Sequence, residues 1–139
     1  MKLGREAITG LVPHQGAMCL LEEVLEWNER TIVCRAASHR DRDNPLRSAG
    51  RLAAIIGVEY AAQAVAVHGG LAGGSQRKEG YLAALRDVEC SVERLDTIEK
   101  DLTIHATQVA AESGRLLYDF RIEAGGRELL RGRLTVIHR

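Results

Sequence analysis

The stretch that decides the fold is RLAAIIGVEYAAQAVAVHGGL, residues Arg51–Leu71. Alanine and other good helix formers dominate it, and apolar side chains fall on nearly every face of a helical period. A helix that is apolar all round must be covered on all sides, so the stretch predicts a buried central helix of about 20 residues. Gly50 and Gly69-Gly70 are its expected boundaries.

The segment before this helix has the pattern of two β-strands. Between Met18 and Ser38, the sequence MCLLEEVLEWNERTIVCRAAS predicts one strand near residues 19–27 and another near 31–38. The polar residues Asn28-Glu29-Arg30 interrupt the pattern and predict the turn that joins the two strands.

The segment after the helix predicts more strands. Three β-like runs follow the glycine-rich break at His68–Gly80, and they begin at Tyr81, Asp101 and Arg115. The last run is a hairpin whose turn is Ala124-Gly125-Gly126. Strands on both sides of one helix predict an α+β domain, with an antiparallel sheet and the helix on a single face.

Length and composition narrow the class of protein. The 139 residues predict one domain, 1–139, and the 19 basic and 19 acidic residues give a net charge of zero. This balance argues against a protein that binds nucleic acid or a membrane surface. The N-terminus lacks the apolar core of a signal peptide, and the three separated cysteines do not form a disulfide framework. We therefore expect a cytoplasmic protein.

The central helix also predicts a second subunit. A curved antiparallel sheet can wrap most of a helix that is apolar all round, but one side of it remains uncovered. A neighbouring subunit is the simplest cover for that side, so the sequence predicts a dimer.

Glu59 is the most informative residue of the helix. It is flanked by Ile55, Ile56 and Val58, and a carboxylate among such neighbours is expected to be desolvated, as a general acid near neutral pH requires. Gln63 lies one turn later on the same face, where it could hydrogen-bond to Glu59 or help to position a ligand. A structural ion pair or a solvated stripe would also explain one charge on this helix.

The five histidines are candidates for a general base. His14 lies between Pro13 and Gly16 in the loop before the first strand, and His39 lies in the charged segment before the helix. His68 ends the predicted helix, where a cation suits the helix dipole, while His105 and His138 fall in strands. No histidine has the spacing of a metal ligand, so no metal site is predicted.

Several sequence segments together resemble the hotdog-fold 3-hydroxyacyl-[acyl-carrier-protein] dehydratases. The closest similarity is to the predicted dehydratases of aryl-polyene-type lipid clusters, and it covers nearly the whole chain. The segments are Pro13-His14, Met18-x-Leu20-Leu21-Glu22, Asn44-Pro45-Leu46-Arg47, Gly57-Val58-Glu59-Tyr60-Ala61-Ala62-Gln63 and Ala66-Val67-His68-Gly69-Gly70.

The resemblance implies a curved antiparallel sheet wrapped around one central helix, in a dimer that joins edge to edge. It also implies reversible loss of water from a 3-hydroxyacyl thioester, with no cofactor. In such enzymes a loop histidine removes the C2 proton, a helix carboxylate protonates the departing hydroxyl, and N–H groups at the helix start hold the thioester oxygen. Glu59 matches the helix carboxylate. The implied partners are an acyl carrier protein or a CoA thioester, whose phosphate would suit the arginines Arg40, Arg42, Arg47 and Arg51.

The chain departs from that family at the general base. Asn44-Pro45-Leu46 occupies the place of the loop histidine, and no histidine lies between His39 and Glu59. We therefore assign Glu59 and His14 as catalytic residues, with His39 as an alternative base. The residues expected to bind substrate are Gln63, Gly57, Asn44 and His39.

Two other functions remain open at this stage. A helix glutamate can also activate water against a thioester, which would make the protein a hotdog acyl thioesterase. Alternatively, the dyad is incomplete, and the chain is a subunit that matures only in a mixed dimer with a second hotdog protein.

Overall fold

A computed structural model of the chain describes residues 2–12, 16–72 and 80–138. Seven antiparallel strands form one sheet in the order β1-β2-β3-β5-β6-β7-β4. The strands are β1 Leu3–Gly4, β2 Glu23–Trp27, β3 Thr31–Ala36, β4 Gly80–Cys90, β5 Leu102–Glu112, β6 Arg115–Ala124 and β7 Arg127–His138. The predicted α+β class, with strands before and after one long helix, is confirmed.

The long helix, α2, spans Gly57–Ala72 and continues from a 3-10 turn at Ala54–Ile56. The prediction that Gly69-Gly70 ends the helix is wrong, because both glycines are helical. Gly70 serves close packing instead, since a Cβ atom there would lie 2.9 Å from the Leu11 side chain. Ala54–Ala72 is long and apolar enough to cross a membrane, but 61% of that window is buried inside the fold, as is usual for a core helix.

The sheet presents one apolar face to α2. Cys34, Ile104, Ile122 and Leu130 lie side by side on β3, β5, β6 and β7, and each is at most 1% exposed. Burial raises the pKa of the Cys34 thiol to about 12, so this cysteine acts as a small apolar residue. The helix therefore lies on one face of the sheet, as the alternating strand pattern predicts.

Two of the hairpins, β2–β3 and β6–β7, turn where the sequence predicts. Gly125 and Gly126 join β6 to β7 with φ angles of 59° and 80°, a conformation that glycine adopts without strain. Asn28 joins β2 to β3, since its side-chain oxygen accepts hydrogen bonds from the N–H groups of Arg30 and Thr31. These turns fix the register that carries the apolar face across the sheet.

The N-terminal elements have no sequence prediction. The two-residue strand β1 pairs with β2, and a single-turn helix, α1, follows at Arg5–Thr9. The apolar pattern that begins at Cys19 becomes a strand only from Glu23 onward. Elements this short do not contain enough residues to show a helical or strand periodicity, so the sequence pattern does not predict them.

Strand β4 is the exposed edge of the sheet. Its Leu82 and Leu85 pair with Val136 and Leu134, so they lie on the helix-facing side, yet they are 38% and 41% exposed. The strand has two register shifts, and the second contains Asp87 at a φ of 54°. The apolar face of the sheet therefore extends onto β4, beyond the area that α2 covers.

Candidate functional site

Glu59 lies on an exposed stripe of α2. The stripe, which we call the open stripe, consists of Ile55, Glu59, Ala62, Ala66 and Gly69. Glu59 is exposed and makes no hydrogen bond or ion pair with any described residue. Its own chain therefore does not desolvate it, contrary to the sequence expectation, and burial of this carboxylate requires a second molecule.

The segment that leads into α2 is held by its hydrogen bonds to the connection after β4. The Asp96 carboxylate accepts a 2.9 Å hydrogen bond from the N–H of Leu52, and the N–H of Ala54 donates to the carbonyl of Glu93 at 3.0 Å. Arg94 holds the pKa of Asp96 well below its usual range, so this anchor stays ionised. The position of Glu59, in the first turn of the helix, is thus fixed from outside the helix.

Gly57 allows the start of α2 to pack closely on the sheet. A Cβ atom at this position would lie 2.8 Å from both methyl carbons of Leu130 and 3.2 Å from a methyl carbon of Ile122. These close contacts are with residues of β7 and β6, whereas the sequence predicts that Gly57 binds substrate. Its assignment to substrate binding stays a prediction.

Gln63 is buried and bonded to backbone. Its Oε1 accepts a 2.9 Å hydrogen bond from the N–H of Leu20, and its Nε2 donates a 2.6 Å bond to the carbonyl of Met18. At 2% exposure, the side chain has no free polar atom for Glu59 or for a ligand. The structure therefore gives Gln63 a different task from the predicted one, which is to attach the Met18–Leu20 segment to α2.

His14 lies outside the described residues, but both flanks of its loop contact α2. On one side Leu11 packs against Gly70, and on the other Met18 is bonded to Gln63. The guanidinium of Arg5 also donates to the carbonyls of Gly16 and Cys19. The two attachment points are seven residues apart on the helix, or roughly 10 Å along its axis.

His39 does not face the open stripe. It is fully buried, and its Nε2 lies 3.0 Å from two carbonyl oxygens, those of Ile98 and Lys100. Because carbonyls only accept, the proton is on Nε2, and burial lowers the pKa of the ring so that it stays neutral. To reach Glu59, His39 would have to leave both carbonyls.

Asn44 belongs to a buried chain of hydrogen bonds that the sequence analysis missed. Its Nδ2 donates to the Tyr60 hydroxyl at 3.2 Å, the Tyr60 and Ser38 hydroxyls are 2.9 Å apart, and Ser38 donates to the carbonyl of Leu20 at 2.7 Å. Because the Ser38 hydroxyl already donates its hydrogen to the Leu20 carbonyl, the Tyr60 hydroxyl must be the donor to Ser38. These hydrogen bonds attach the loop before the helix to α2. Within the helix sequence, the one residue that could have indicated them is Tyr60, next to Glu59.

The other described histidines are also remote from the open stripe. His68 is fully buried within α2, accepts from the Tyr118 hydroxyl at 2.6 Å and donates to the carbonyl of Asn28 at 2.8 Å. Burial lowers the pKa of this ring and favours its neutral form, so the expected role as a cation at the helix end is wrong. His105 pairs with Glu123 on the opposite face of the sheet. None of His39, His68 and His105, the histidines whose side chains the structure describes, stands next to Glu59.

The basic segment before α2 divides into bound and free arginines. Arg40 donates to Asp101 and to the carbonyl of Glu99, and Arg47 donates to the carbonyls of His39 and Gly50. Two others, Arg42 and Arg51, are exposed, and their guanidinium groups have no partner in the described part of the chain. In that same part, no group of three His, Cys, Asp or Glu residues is placed to hold a metal ion.

The start of α2 has few N–H groups left for a ligand. Those of Ala54, Ile56 and Gly57 already donate to protein carbonyls. The resemblance implies that N–H groups at the helix start hold the thioester oxygen. Within the described chain, most of these N–H groups already donate to protein carbonyls.

Solved structures share this architecture. One chain of the dehydratase heterocomplex ApeI:P from Xenorhabdus doucetiae has a TM-score of 0.81 and 24% identity, over 95% of this chain and 90% of that chain. A mutant of the thioesterase PA1618 from Pseudomonas aeruginosa has a TM-score of 0.64 and 12% identity, over 85% of this chain and 80% of that chain. A hypothetical thioesterase with coenzyme A from Streptococcus pneumoniae has a TM-score of 0.62 and 14% identity, over 84% of each chain. These likenesses confirm the hotdog fold.

Sequence comparison adds the family. No curated protein matches the chain. The ApeP-like family, described as ApeP dehydratase, matches residues 6–139. This match confirms the resemblance to hotdog dehydratases of aryl-polyene-type clusters, and because it covers nearly every residue, the chain belongs to the ApeP-like dehydratase family.

Proposed function

We propose that this protein is one subunit of a dehydratase that removes water from 3-hydroxyacyl thioesters in aryl-polyene-type lipid synthesis, with Glu59 as the general acid. The observation that supports it most directly is the open stripe. Glu59 is the one charged residue of that stripe, and it is exposed without a partner in a family of dehydratases. A carboxylate in that position is available to a substrate that lies between two chains.

The reaction needs a base at C2 and an acid at the hydroxyl of C3. A base takes the proton from C2, the C2–C3 double bond forms, and the C3–O bond breaks as Glu59 gives its proton to the departing hydroxyl. The products are water and the enoyl thioester. When the protonated base and the Glu59 carboxylate return to their starting states through solvent, the cycle balances.

His14 is the proposed base. The other candidate, His39, is bonded through Nε2 to two carbonyls and is fully buried. The flanks of the His14 loop are attached to α2 at Gly70 and Gln63, and Ala66 and Gly69 of the open stripe lie between these two positions. His39, by contrast, could act as the base only by leaving the two carbonyls to which it is bonded.

A second hotdog protein is the proposed partner. Leu82 and Leu85 extend the apolar face past the area that α2 covers, and β4 has one unpaired backbone edge. An adjoining chain would cover these leucines and lower the dielectric around Glu59 on the open stripe. Burial of this kind favours the protonated carboxyl, which is the form a general acid needs.

An acyl carrier protein or a CoA thioester is the proposed carrier of the substrate. Arg42 and Arg51 offer guanidinium groups that no described carboxylate neutralises, in the segment that enters α2. Guanidinium groups bind phosphate well through paired N–H donors. Both carriers end in a phosphopantetheine arm, so the same two arginines would serve either.

Mass spectrometry of a 3-hydroxyacyl thioester on its carrier protein tests the proposal. The purified chain, with its hotdog partner where one copurifies, should convert the substrate to a product lighter by one water. Glu59→Gln should abolish conversion, because an amide cannot supply the proton. Glu26→Gln is the matched control, since Glu26 is exposed and unpartnered on β2, and it should keep full activity.

The same experiment separates the two alternatives. Release of free carrier thiol without an enoyl product would identify a thioesterase. A complex in which Glu59→Gln leaves dehydration intact would identify this chain as a supporting subunit. That second candidate is favoured by one observation, which is that none of His39, His68 and His105 stands next to Glu59.

A further inference from the structure

The Asp96 carboxylate is a buried charged group outside the proposed reaction. Its side chain is 6% exposed, in the connection between β4 and β5. Arg94 donates to both carboxylate oxygens, with its Nε 3.0 Å from Oδ1. The same Oδ1 accepts a 2.9 Å hydrogen bond from the N–H of Leu52, which is 44 positions away in sequence. A hydrogen bond to an ionised acceptor is stronger than one between neutral groups, so Asp96 holds the backbone of Leu52 firmly.

Leu52 is also held through its carbonyl. The N–H of Leu95 donates to this carbonyl at 2.7 Å, and both leucine side chains are fully buried. Two residues further on, the N–H of Ala54 donates to the carbonyl of Glu93 at 3.0 Å. The segment that enters α2 is thus bonded to the connection after β4 through the N–H and carbonyl of Leu52 and the N–H of Ala54.

Arg51 directly precedes this held segment and closes a tight turn. Its N–H and carbonyl bond to the carbonyl and N–H of Ser48 at 3.0 Å and 2.8 Å. Ala49 and Gly50, between them, have φ angles of 52° and 74°, the conformation of a two-residue hairpin turn. The backbone of Arg51 is therefore held, while its guanidinium is exposed and has no partner among the described residues.

Hydrogen bonds hold this turn, which we call the Ser48–Arg51 turn. A Cβ atom at Gly50 would have nothing within 4 Å, so no described residue packs on the tip. Arg47 holds the tip, through a 3.1 Å hydrogen bond from its Nη1 to the carbonyl of Gly50. At the base, the bond between Leu52 and Asp96 holds the residue that follows the turn. Without that bond, the turn would keep its anchor at the tip and lose a side-chain anchor at its base.

We propose that Asp96 is a positioning residue for the carrier, because it fixes Arg51 for contact with the phosphate of the phosphopantetheine arm. The inference rests on the carrier part of the proposed function, since it takes this arm as the ligand of Arg51. A guanidinium binds phosphate through paired N–H donors in a fixed geometry. Ordering a loose loop costs binding free energy, so an arginine on a held backbone binds phosphate more tightly than one on a loose turn.

Calorimetric titration of the purified protein, with its hotdog partner where one copurifies, measures the effect on binding. The two probes are coenzyme A and an acyl carrier protein that bears the phosphopantetheine arm, and the probe that binds identifies the carrier. Arg51→Met and Asp96→Ala should each raise the Kd by about tenfold or more, the typical loss for one hydrogen bond to a charged group. Asp119→Ala is the matched control, since Asp119 also pairs with an arginine but lies on the face of the sheet opposite α2, and its Kd should equal that of the wild type.

A double variant decides whether Asp96 acts through Arg51. If it does, Asp96→Ala combined with Arg51→Met binds the probe no more weakly than Arg51→Met alone. Losses that multiply would show that Asp96 supports a different contact, and they would overturn the inference. A wild-type protein that binds neither probe would overturn it as well.

Two further measurements apply even if Asp96→Ala does not fold. Asp96→Asn retains an oxygen acceptor for the N–H of Leu52, so it should bind the probe like the wild type although it loses the ion pair with Arg94. An Asp96→Asn variant whose Kd rises as much as that of Arg51→Met would contradict the inference. A crystal structure of the wild type with the probe that binds should place a phosphate on the Arg51 guanidinium, and a phosphate bound elsewhere would also contradict it.

Binding is measured without turnover, so the inference and the proposed reaction can fail separately. A protein with the expected Kd values that forms no enoyl thioester would support the role of Asp96 and contradict the dehydratase proposal. A protein that forms the enoyl thioester, but whose Arg51→Met variant binds as tightly as the wild type, would support the reaction and overturn the role of Asp96.

Discussion

The side-chain amide of Gln63 joins α2 to the backbone of Met18 by a 2.6 Å hydrogen bond that spans 45 positions of sequence. The same amide accepts from the N–H of Leu20, so one side chain satisfies two backbone groups of the segment that follows the His14 loop. Gln63 is thus a positioning residue for the N-terminal segment, although the sequence pattern alone places it beside Glu59 as a partner for ligand.

We expect Gln63→Leu to lower the free energy of unfolding by roughly 2 kcal/mol or more, because it leaves the Met18 carbonyl and the Leu20 N–H without partners. Urea unfolding measures this change. Gln108→Leu is the control, since the side-chain amide of Gln108 has no partner among the described residues. Equal stability of the two variants would show that the Gln63 hydrogen bonds contribute nothing.

Two glycines of α2 should respond in opposite directions to alanine. Gly57→Ala would force a methyl group to 2.8 Å from Leu130, and overpacking of this kind costs about 1–3 kcal/mol. Gly69→Ala has nothing within 4 Å of the new Cβ, so it should stabilise the isolated chain by about 0.5–1 kcal/mol through helix propensity. Thermal unfolding of the two variants gives the signs, and partial rescue of Gly57→Ala by Leu130→Val would confirm the clash.

The stability of the chain should fall as the pH drops below about 6.5. Burial lowers the pKa of both His39 and His68 in the folded chain, so below their ordinary pKa the unfolded chain binds protons that the folded chain does not. Each buried histidine then removes up to about 1.4 kcal/mol per pH unit until its lowered pKa is reached. Urea midpoints at pH 7.5 and pH 5.5 measure the loss, and a midpoint that is equal or higher at pH 5.5 would contradict it.

Leu85→Arg should prevent assembly without unfolding the chain. Leu85 is 41% exposed on the edge strand β4, so a charge there costs little in the isolated chain but opposes burial against a neighbour. Light scattering should give the 15.2 kDa of one chain for this variant and a larger mass for the wild type. Val109→Arg is the control, because Val109 is 38% exposed on β5, away from the β4 edge, and should assemble normally.

The sequence predicts those parts of the fold that depend on local patterns. The α2 helix follows from a run of alanines and branched residues, and the β6–β7 hairpin follows from alternation around Gly125-Gly126. Gly69 and Gly70 show the limit of such reasoning. Only the position of Leu11, which comes from the other end of the chain, explains why a glycine pair continues the helix.

The candidate site is less predictable, since its polar residues are defined by distant partners. His39, Asn44 and Gln63 have the residue types expected of a site, but each is buried and bonded to groups far away in sequence. Glu59 is the one charge on this helix, and its catalytic role stays a prediction. The sequence left open whether the carboxylate is desolvated or lies on a solvated stripe, because the amount of helix that one sheet covers depends on curvature and strand order.

The unequal edges of the sheet limit how these chains can join. One edge is β1, with two residues, and the other is β4, with eleven. Only β4 is long enough to add another strand, and the bend at Asp87, with the charges beside it, makes the second half of that strand a poor template. If only one edge of the sheet can pair with a strand of another chain, pairing of that edge leaves no second edge for a further chain. If two copies join edge to edge through β4, each uses the same strand, so the contact closes as a pair.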